Sequence, residues 1–124
     1  MSNNIRIISL NLLRIVTGLL FVPHGYQKLF ADQPPELTST LGIAGILELF
    51  GGTLIVLGLR TRTIAFLLSG QMAVAFWTAH APRSPWPITN GGELAVLFCF
   101  IFLFLSAHGG GTWSIDGLLQ KRKR

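Results

Sequence analysis

"IRIISLNLLRIVTGLLFVPHGYQKLF", residues 5–30, is an apolar run that ends in a histidine, a glutamine and a lysine. It exceeds the ~20 residues that a helix needs to cross about 30 Å of hydrocarbon. Similar segments follow at 41–59, 63–80 and 92–107, and the middle two contain Glu48 as their only charge. A soluble bundle would have charged outer faces. The sequence therefore predicts a single all-α domain, 1–124, folded as an antiparallel integral membrane four-helix bundle.

The composition supports a membrane protein and argues against two other classes. Hydrophobic residues make up 50% of the chain and charged residues 12%, and the mean hydropathy is +0.55. The single cysteine, Cys99, lies in an apolar run and cannot form an internal disulfide. The net charge is +5, but four of the ten basic residues are the terminal KRKR and most others flank apolar runs. This distribution indicates membrane orientation rather than nucleic-acid binding.

The basic residues also predict the topology. An even number of spans places both termini on one side, together with the residues Arg6, Arg60, Arg62 and 121–124. Positive charge is retained on the cytoplasmic side. We therefore expect a multi-pass protein of the cell (inner) membrane, with both termini and a basic tail, 109–124, in the cytoplasm. Arg14 interrupts the first run, which favours a mature helix over a signal peptide.

Ionisable residues inside the spans are the first candidates for a site, because each costs about 2.5–3.5 kcal/mol to insert. They are Arg14, His24, Lys28, Glu48 and Glu93. Arg14, His24 and Lys28 lie on one stripe of the first helix. Counting ~1.5 Å per residue brings Arg14 within reach of Glu48, so we expect the two to pair or to share a water-filled cavity. The alternative is a buried bridge that only fixes helix register.

The outer end of the predicted bundle has a second group of candidates. Glu93, His24 and Lys28 fall at one level, and they could line a pocket with Gln71, Trp77 and His80. His24, Lys28 and Glu93 also have purely structural explanations, and His24 can be an interfacial residue. Lys28 can extend its ammonium to the interface, and Glu93 can favour the positive end of a helix capped by Asn90. The sequence leaves both interpretations open.

Other kinds of site are disfavoured. No two of the histidines and glutamates have the i, i+4 spacing of a helical metal pair, so no metal site is predicted. The glycines 109–111 lack the following Lys-Ser/Thr of a phosphate loop and indicate a helix stop and hinge. No arrangement of serine, histidine and acid suggests hydrolysis. Whether the chain is an enzyme is therefore undecided, and no catalytic residue is assigned.

Four stretches together resemble the DoxX family of small bacterial and archaeal four-helix membrane proteins. They are "LLRIVTGLLFVPHGYQKLF" (12–30), "ELFGGTLIVLGLRTR" (48–62), "WPITNGGE" (86–93) and "GGGTWSIDGLL" (109–119). Some DoxX-like chains are subunits of quinone-linked oxidoreductases, and others are membrane partners in oxidative-stress complexes or in resistance to quinone-like compounds. The resemblance implies that Arg14, His24, Lys28, Glu48 and Glu93 are the functional positions.

Two main functions follow from these observations. The first is a membrane redox component that binds a quinone or a similar apolar compound in a polar pocket, with electrons passing through a partner subunit and no covalently bound cofactor. The second is a non-catalytic scaffold in the lipid bilayer, whose small-residue helix faces favour assembly with a partner or with further copies of the chain. Transport of protons or small molecules ranks third, because no inverted repeat or broken-helix pair is visible.

Overall fold

The computed structural model describes residues 2–123 of the chain. Within that range all regular structure is helical and no strand occurs, which confirms the predicted all-α class. The six helices of this range are α1 (Asn3–Leu29), α2 (Thr40–Leu57), α3 (Thr61–Ala75, continued as a π-helix over Phe76–His80), α4 (Pro87–Asn90), α5 (Glu93–His108) and α6 (Ile115–Arg122). A second π-helical segment, Leu47–Gly51, lies inside α2.

Helices α1 and α2 are long and apolar enough to cross a membrane, judged by length and composition alone. They have 27 and 18 residues, and the mean hydropathy of the most apolar window is 1.9 in each. Both also expose large apolar side chains, such as Leu20 at 59% and Phe50 at 63%. A water-soluble protein would leave few such contiguous faces uncovered, so the exposed surface suits contact with lipid.

The helices pack mainly as two neighbouring pairs, α1 along α2 and α3 along α5. Phe21 of α1 joins the pairs through edge-on contacts with Phe98 and Phe102 of α5, with ring centroids 5.2 and 4.9 Å apart. Within the second pair, the hydroxyl of Ser69 donates to the carbonyl of Cys99 at 2.8 Å. The buried core therefore lies between the two pairs and takes side chains from α1, α2, α3 and α5.

A tight turn joins α2 to α3. Gly58 ends α2 in the left-handed region at φ 68°, and Arg60 precedes α3 at φ 55°. A side chain at Gly58 would collide with Ser114, which comes from the far end of the sequence. The turn is therefore covered by the segment that follows α5.

The segment after α5 is folded rather than a free hinge. The predicted helix stop is observed at Gly109, with φ 83°, but Gly109 and Gly110 are buried against the rest of the chain. Ser114 then caps α6 by accepting from the backbone N–H of Gly117 at 2.9 Å. The basic tail predicted from 109 onward is thus a packed loop and a helix, because buried side chains of α1 bind the loop.

Candidate functional site

The two cations on the inner stripe of α1 occupy separate sites. Arg14 is fully buried, and Lys28 has a side chain that is 31% exposed. Fourteen residues of helix separate them, which corresponds to roughly 20 Å along the axis. The two cations bind different partners, so the polar stripe predicted on α1 contains two different sites.

At the first site, Lys28 forms an ion pair with Glu48 of α2. The ammonium Nζ lies 2.6 Å from the carboxylate oxygen Oε1 and also contacts Oε2. Glu48 is only 2% exposed, whereas the lysine side chain reaches the surface. Burial of a carboxylate requires such a partner, because an isolated charge in an apolar interior is strongly disfavoured. The pair therefore connects the protein interior with the surface.

The local backbone explains how the two side chains meet. Glu48 lies on the π-helical segment of α2, a rare conformation that often marks functional sites. Gly25 lies almost one turn before Lys28 on α1, and a side chain there would meet the carbonyl oxygen of Gly45 at 2.7 Å. Since only glycine permits this approach, the backbones of α1 and α2 touch at the level of the ion pair.

Two of the remaining predicted pocket residues, His24 and Gln71, have other contacts than the ion pair. His24, one turn before Lys28, packs edge-on against Phe98 with ring centroids 6.1 Å apart. Gln71 of α3 donates weakly to the carbonyl of Ala44 at 3.4 Å, while its oxygen Oε1 is buried without a hydrogen-bond partner. Ala44 lies one turn before Glu48 on α2, so this unsatisfied oxygen is near the level of the ion pair.

Three other candidates lie further out. Glu93 is exposed at the first residue of α5, and Trp77 is 68% exposed. The His80 ring nitrogen Nδ1 lies 3.1 Å from the carbonyl of Asn90. The Asn90 side chain does not cap α5 as predicted. Its oxygen accepts from the backbone N–H of Gly92 at 2.7 Å, one position before the helix.

At the second site, Arg14 is bound entirely by backbone carbonyls. Its guanidinium donates to four of them at 2.5 to 2.9 Å, from Ile55, Val56, Gly110 and Trp113. These carbonyls belong to α2 and to the loop after α5, so one side chain joins three parts of the chain.

The predicted pairing of Arg14 with Glu48 is therefore wrong. Both side chains are buried, as expected, but each has a different partner. Counting residues along α1 and α2 placed Arg14 within side-chain reach of Glu48, which suggested a contact. It could not show that α2 and a distant loop each supply two carbonyl acceptors for the N–H donors of the guanidinium.

Two residues that support this second site were not singled out in the sequence. Asn11 is fully buried one turn before Arg14, where its oxygen accepts from the backbone N–H of Trp113 at 3.0 Å and its amide donates to the Thr112 hydroxyl at 3.1 Å. The stripe argument that identified Arg14 would also have found Asn11, which lies at i−3. Asp116 had no comparable signal, because its partner is the backbone of a distant turn.

Asp116 caps the start of α3. Its two carboxylate oxygens accept from the backbone N–H groups of Arg60 and Thr61, each at 2.8 Å. Partial burial opposes ionisation of this group, but the hydrogen bonds from Thr61 and Arg60 and the nearby Arg60 charge outweigh it, so the pKa of Asp116 is below its usual value. The carboxylate is therefore negatively charged at neutral pH.

The polar groups near the ion pair include both hydrogen-bond donors and acceptors. Within residues 2–123, no three side chains of His, Cys, Asp or Glu come together. The Lys28 ammonium, the Glu48 carboxylate and the Gln71 amide provide both donors and acceptors in apolar surroundings. Such a combination can bind a small apolar molecule that has polar oxygens.

Comparison with known proteins gives a consistent family relationship. The sequence model of the DoxX family matches residues 9–81. A Haemophilus influenzae protein without an assigned function is 37% identical over 121 residues, covering 89% of this chain and 90% of its own length. An uncharacterised membrane protein of Mycobacterium tuberculosis is 32% identical, with 89% and 80% covered. A Bacillus subtilis protein named "Putative oxidoreductase CatD" is 25% identical, with 91% and 88% covered. No solved structure matches the chain.

Proposed function

The chain belongs to the DoxX family, and from that premise we propose that it is the membrane component of a redox system that binds a quinone, or a similar small apolar carbonyl compound, beside Lys28 and Glu48. The observation that supports this most directly is the ion pair between a buried carboxylate and a lysine that reaches the surface. A relative named as an oxidoreductase supports the redox part of the proposal.

The chemistry of the pair suits a quinone. A quinone carbonyl oxygen accepts a hydrogen bond, and the Lys28 ammonium has three N–H donors, of which Glu48 uses some. Reduction of the quinone to the quinol takes up two electrons and two protons. In our proposal a partner oxidoreductase supplies the electrons, and the protons reach the quinone by way of Glu48 as a general acid–base group.

We also propose how the chain crosses the membrane. Helices α1, α2, α3 with its π-helical end, and α5 span the inner membrane as a four-helix bundle, with both termini in the cytoplasm. The distribution of charge supports this direction. The end that contains residues 2–11 and the turn 58–60 also has the exposed basic side chains Arg6, Arg60, Arg62, Lys121, Arg122 and Lys123.

Binding of a short-tailed ubiquinone to purified protein in detergent tests the proposed site. The double variant Lys28→Gln/Glu48→Gln removes one positive and one negative charge, so it leaves no unpaired buried charge. We expect it to fold and to bind the quinone at least about tenfold more weakly, the equivalent of ~1.4 kcal/mol. The matched control is Glu36→Gln/Arg83→Gln, which removes two exposed charges and should leave affinity unchanged. Wild-type affinity in a folded Lys28→Gln/Glu48→Gln variant would reject the site.

A second candidate function is a non-catalytic scaffold subunit, and the Arg14 site favours it. At that site the buried guanidinium of Arg14 forms all of its hydrogen bonds with backbone carbonyls of the same chain. If the Lys28–Glu48 pair has the same structural purpose, the wild-type protein should show no saturable quinone binding. That result would select the scaffold over the redox component.

A further inference from the structure

A cavity of about 610 Å³ lies at the end of the molecule opposite to the Lys28–Glu48 pair. It is open to solvent on one side and lined by the beginning of α1, the start of α3, residues 108–112 and one face of α6. Asn11 in its wall and Lys28 are 17 positions apart on α1, or roughly 25 Å along the helix. The cavity therefore has no part in the proposed quinone site.

The rim of this cavity is strongly positive. Arg60, Arg62 and Lys121, which we call the rim cations, all line it. Within residues 2–123 the ion pair that forms is Lys28 with Glu48, so no carboxylate lies within salt-bridge distance of a rim cation. Asp116 is the one acidic residue in the wall, and both of its oxygens are occupied by backbone N–H groups. Three positive charges thus face one negative charge, and His108 lies beside them.

The geometry of the wall is fixed rather than loose. The Arg62 guanidinium donates to the carbonyls of Ser106 and Ala107 at the end of α5, and it lies against Gly109. The Thr61 hydroxyl is fully buried in the wall beside the Asp116 carboxylate.

From these features we infer that the cavity binds a phosphate-bearing anion. A phosphate group has several acceptor oxygens and one or two negative charges, which is the chemistry that arginine and lysine bind best. The volume lies in the range of small-ligand sites and leaves room for more than the phosphate itself. Ile7 and Leu10 give the cavity an apolar side along α1.

Two sources of such a group fit: the headgroup of an anionic phospholipid and a soluble phosphate ester. The lipid source rests on the membrane placement proposed above, which puts this cavity at the cytoplasmic surface, where basic pockets bind anionic headgroups. The soluble source does not depend on that placement. Binding at this site is also independent of quinone binding, so either proposal can fail alone.

The test measures saturable binding to the full-length protein in neutral detergent, by its intrinsic tryptophan fluorescence. The probes are short-chain phosphatidylglycerol, short-chain phosphatidylcholine and inorganic phosphate, all at constant ionic strength. We expect phosphatidylglycerol to bind more tightly than phosphatidylcholine. Saturation by inorganic phosphate at similar concentrations would also support the inference and would identify a soluble phosphate ester as the ligand class.

Charge variants distinguish a specific binding site in the cavity from general attraction of anions to the basic surface. Arg60→Gln/Lys121→Gln should weaken binding about 25-fold and Lys121→Gln alone about fivefold, at ~1 kcal/mol per cation. The matched control, Arg122→Gln/Lys123→Gln, removes two charges from the same tail without touching the cavity wall, and it should change binding less than about twofold. Equal weakening by the two double variants, or no saturable binding of any probe, would overturn the inference.

Discussion

The two cations on the inner stripe of α1, Arg14 and Lys28, are stabilised by different kinds of partner. Within residues 2–123 Arg14 forms no salt bridge, and its guanidinium is bound by four backbone carbonyls. Lys28 is paired with a carboxylate and keeps part of its side chain at the surface. The first arrangement uses nearly all donors within the chain, so it can only hold the structure together. The second keeps part of the Lys28 side chain exposed, which the ligand site that we propose there requires.

Replacement of Arg14 should therefore have the largest effect on stability. Arg14→Leu removes four hydrogen bonds, two to α2 and two to the loop after α5, and leaves their carbonyls buried. At about 1–3 kcal/mol for each unsatisfied group, we expect the free energy of unfolding to fall by at least ~4 kcal/mol. Thermal unfolding in detergent would measure this. Arg6→Gln, which removes an exposed charge from the same helix, should change it by less than about 0.5 kcal/mol. A normally stable Arg14→Leu protein would contradict the structural assignment.

Removal of one partner of the Lys28–Glu48 pair should have the next largest effect. Glu48→Leu leaves the Lys28 charge without its partner, although Lys28 can turn toward solvent because it is partly exposed. We expect a loss of about 2–3 kcal/mol in the free energy of unfolding, below the ~3–5 kcal/mol of fully buried pairs. The double variant Lys28→Met/Glu48→Leu should recover most of it. The comparison between the two sites fails if the single and double variants are equally unstable, because the charges would then not be coupled.

The two sites also differ in how far the sequence predicts them. The helical segments and the inward stripe of α1 are visible because apolar length and 3-4 spacing are local properties of the sequence. Lys28 and Glu48 were both selected as candidates, but the sequence predicted that Glu48 pairs with Arg14 rather than with Lys28. The π-helical segment at Glu48 has no compositional signal, and it changes which residues of α2 face α1.

The acceptors of Arg14 were missed for a different reason. Sequence reasoning looks for side chains of opposite charge, whereas these partners are backbone carbonyls, two of them at Gly110 and Trp113 after α5. Any residue has a carbonyl, so no residue type marks such a site. The glycine run that forms this loop indicates a helix stop, but its burial depends on a contact with α1 nearly one hundred residues away.

Disruption of the close approach between α1 and α2 should have the third largest effect on stability. Gly25→Ala introduces a methyl group within 2.7 Å of the Gly45 carbonyl oxygen and against the backbone of Leu49. We expect a cost of about 2 kcal/mol from overpacking and, because the helices must separate, weaker quinone binding. Gly70→Ala is the control, since nothing lies within 4 Å of the added methyl group in mid-helix α3. It should stabilise the protein by about 0.5–1 kcal/mol. If both substitutions are tolerated equally, the backbone contact is not what positions Lys28.

The smallest predicted effect concerns Asp116, which supports the Arg14 end of the molecule by capping α3. Asp116→Asn replaces one acceptor oxygen by a donor, so we expect a loss of about 1 kcal/mol at neutral pH. The pKa of Asp116 is lower in the folded than in the unfolded chain, so its charged form stabilises the fold above pH ~4, and that contribution is lost as the pH falls through the folded-state pKa. The stability difference between wild type and Asp116→Asn should therefore shrink below pH ~4, whereas Asp32→Asn, in an exposed linker, should match wild type throughout. A difference that stays constant under acidic conditions would mean that the cap acts through shape alone. The end of the molecule that contains Arg14 would then need no ionised carboxylate for its stability, whereas Lys28 is paired with one, Glu48.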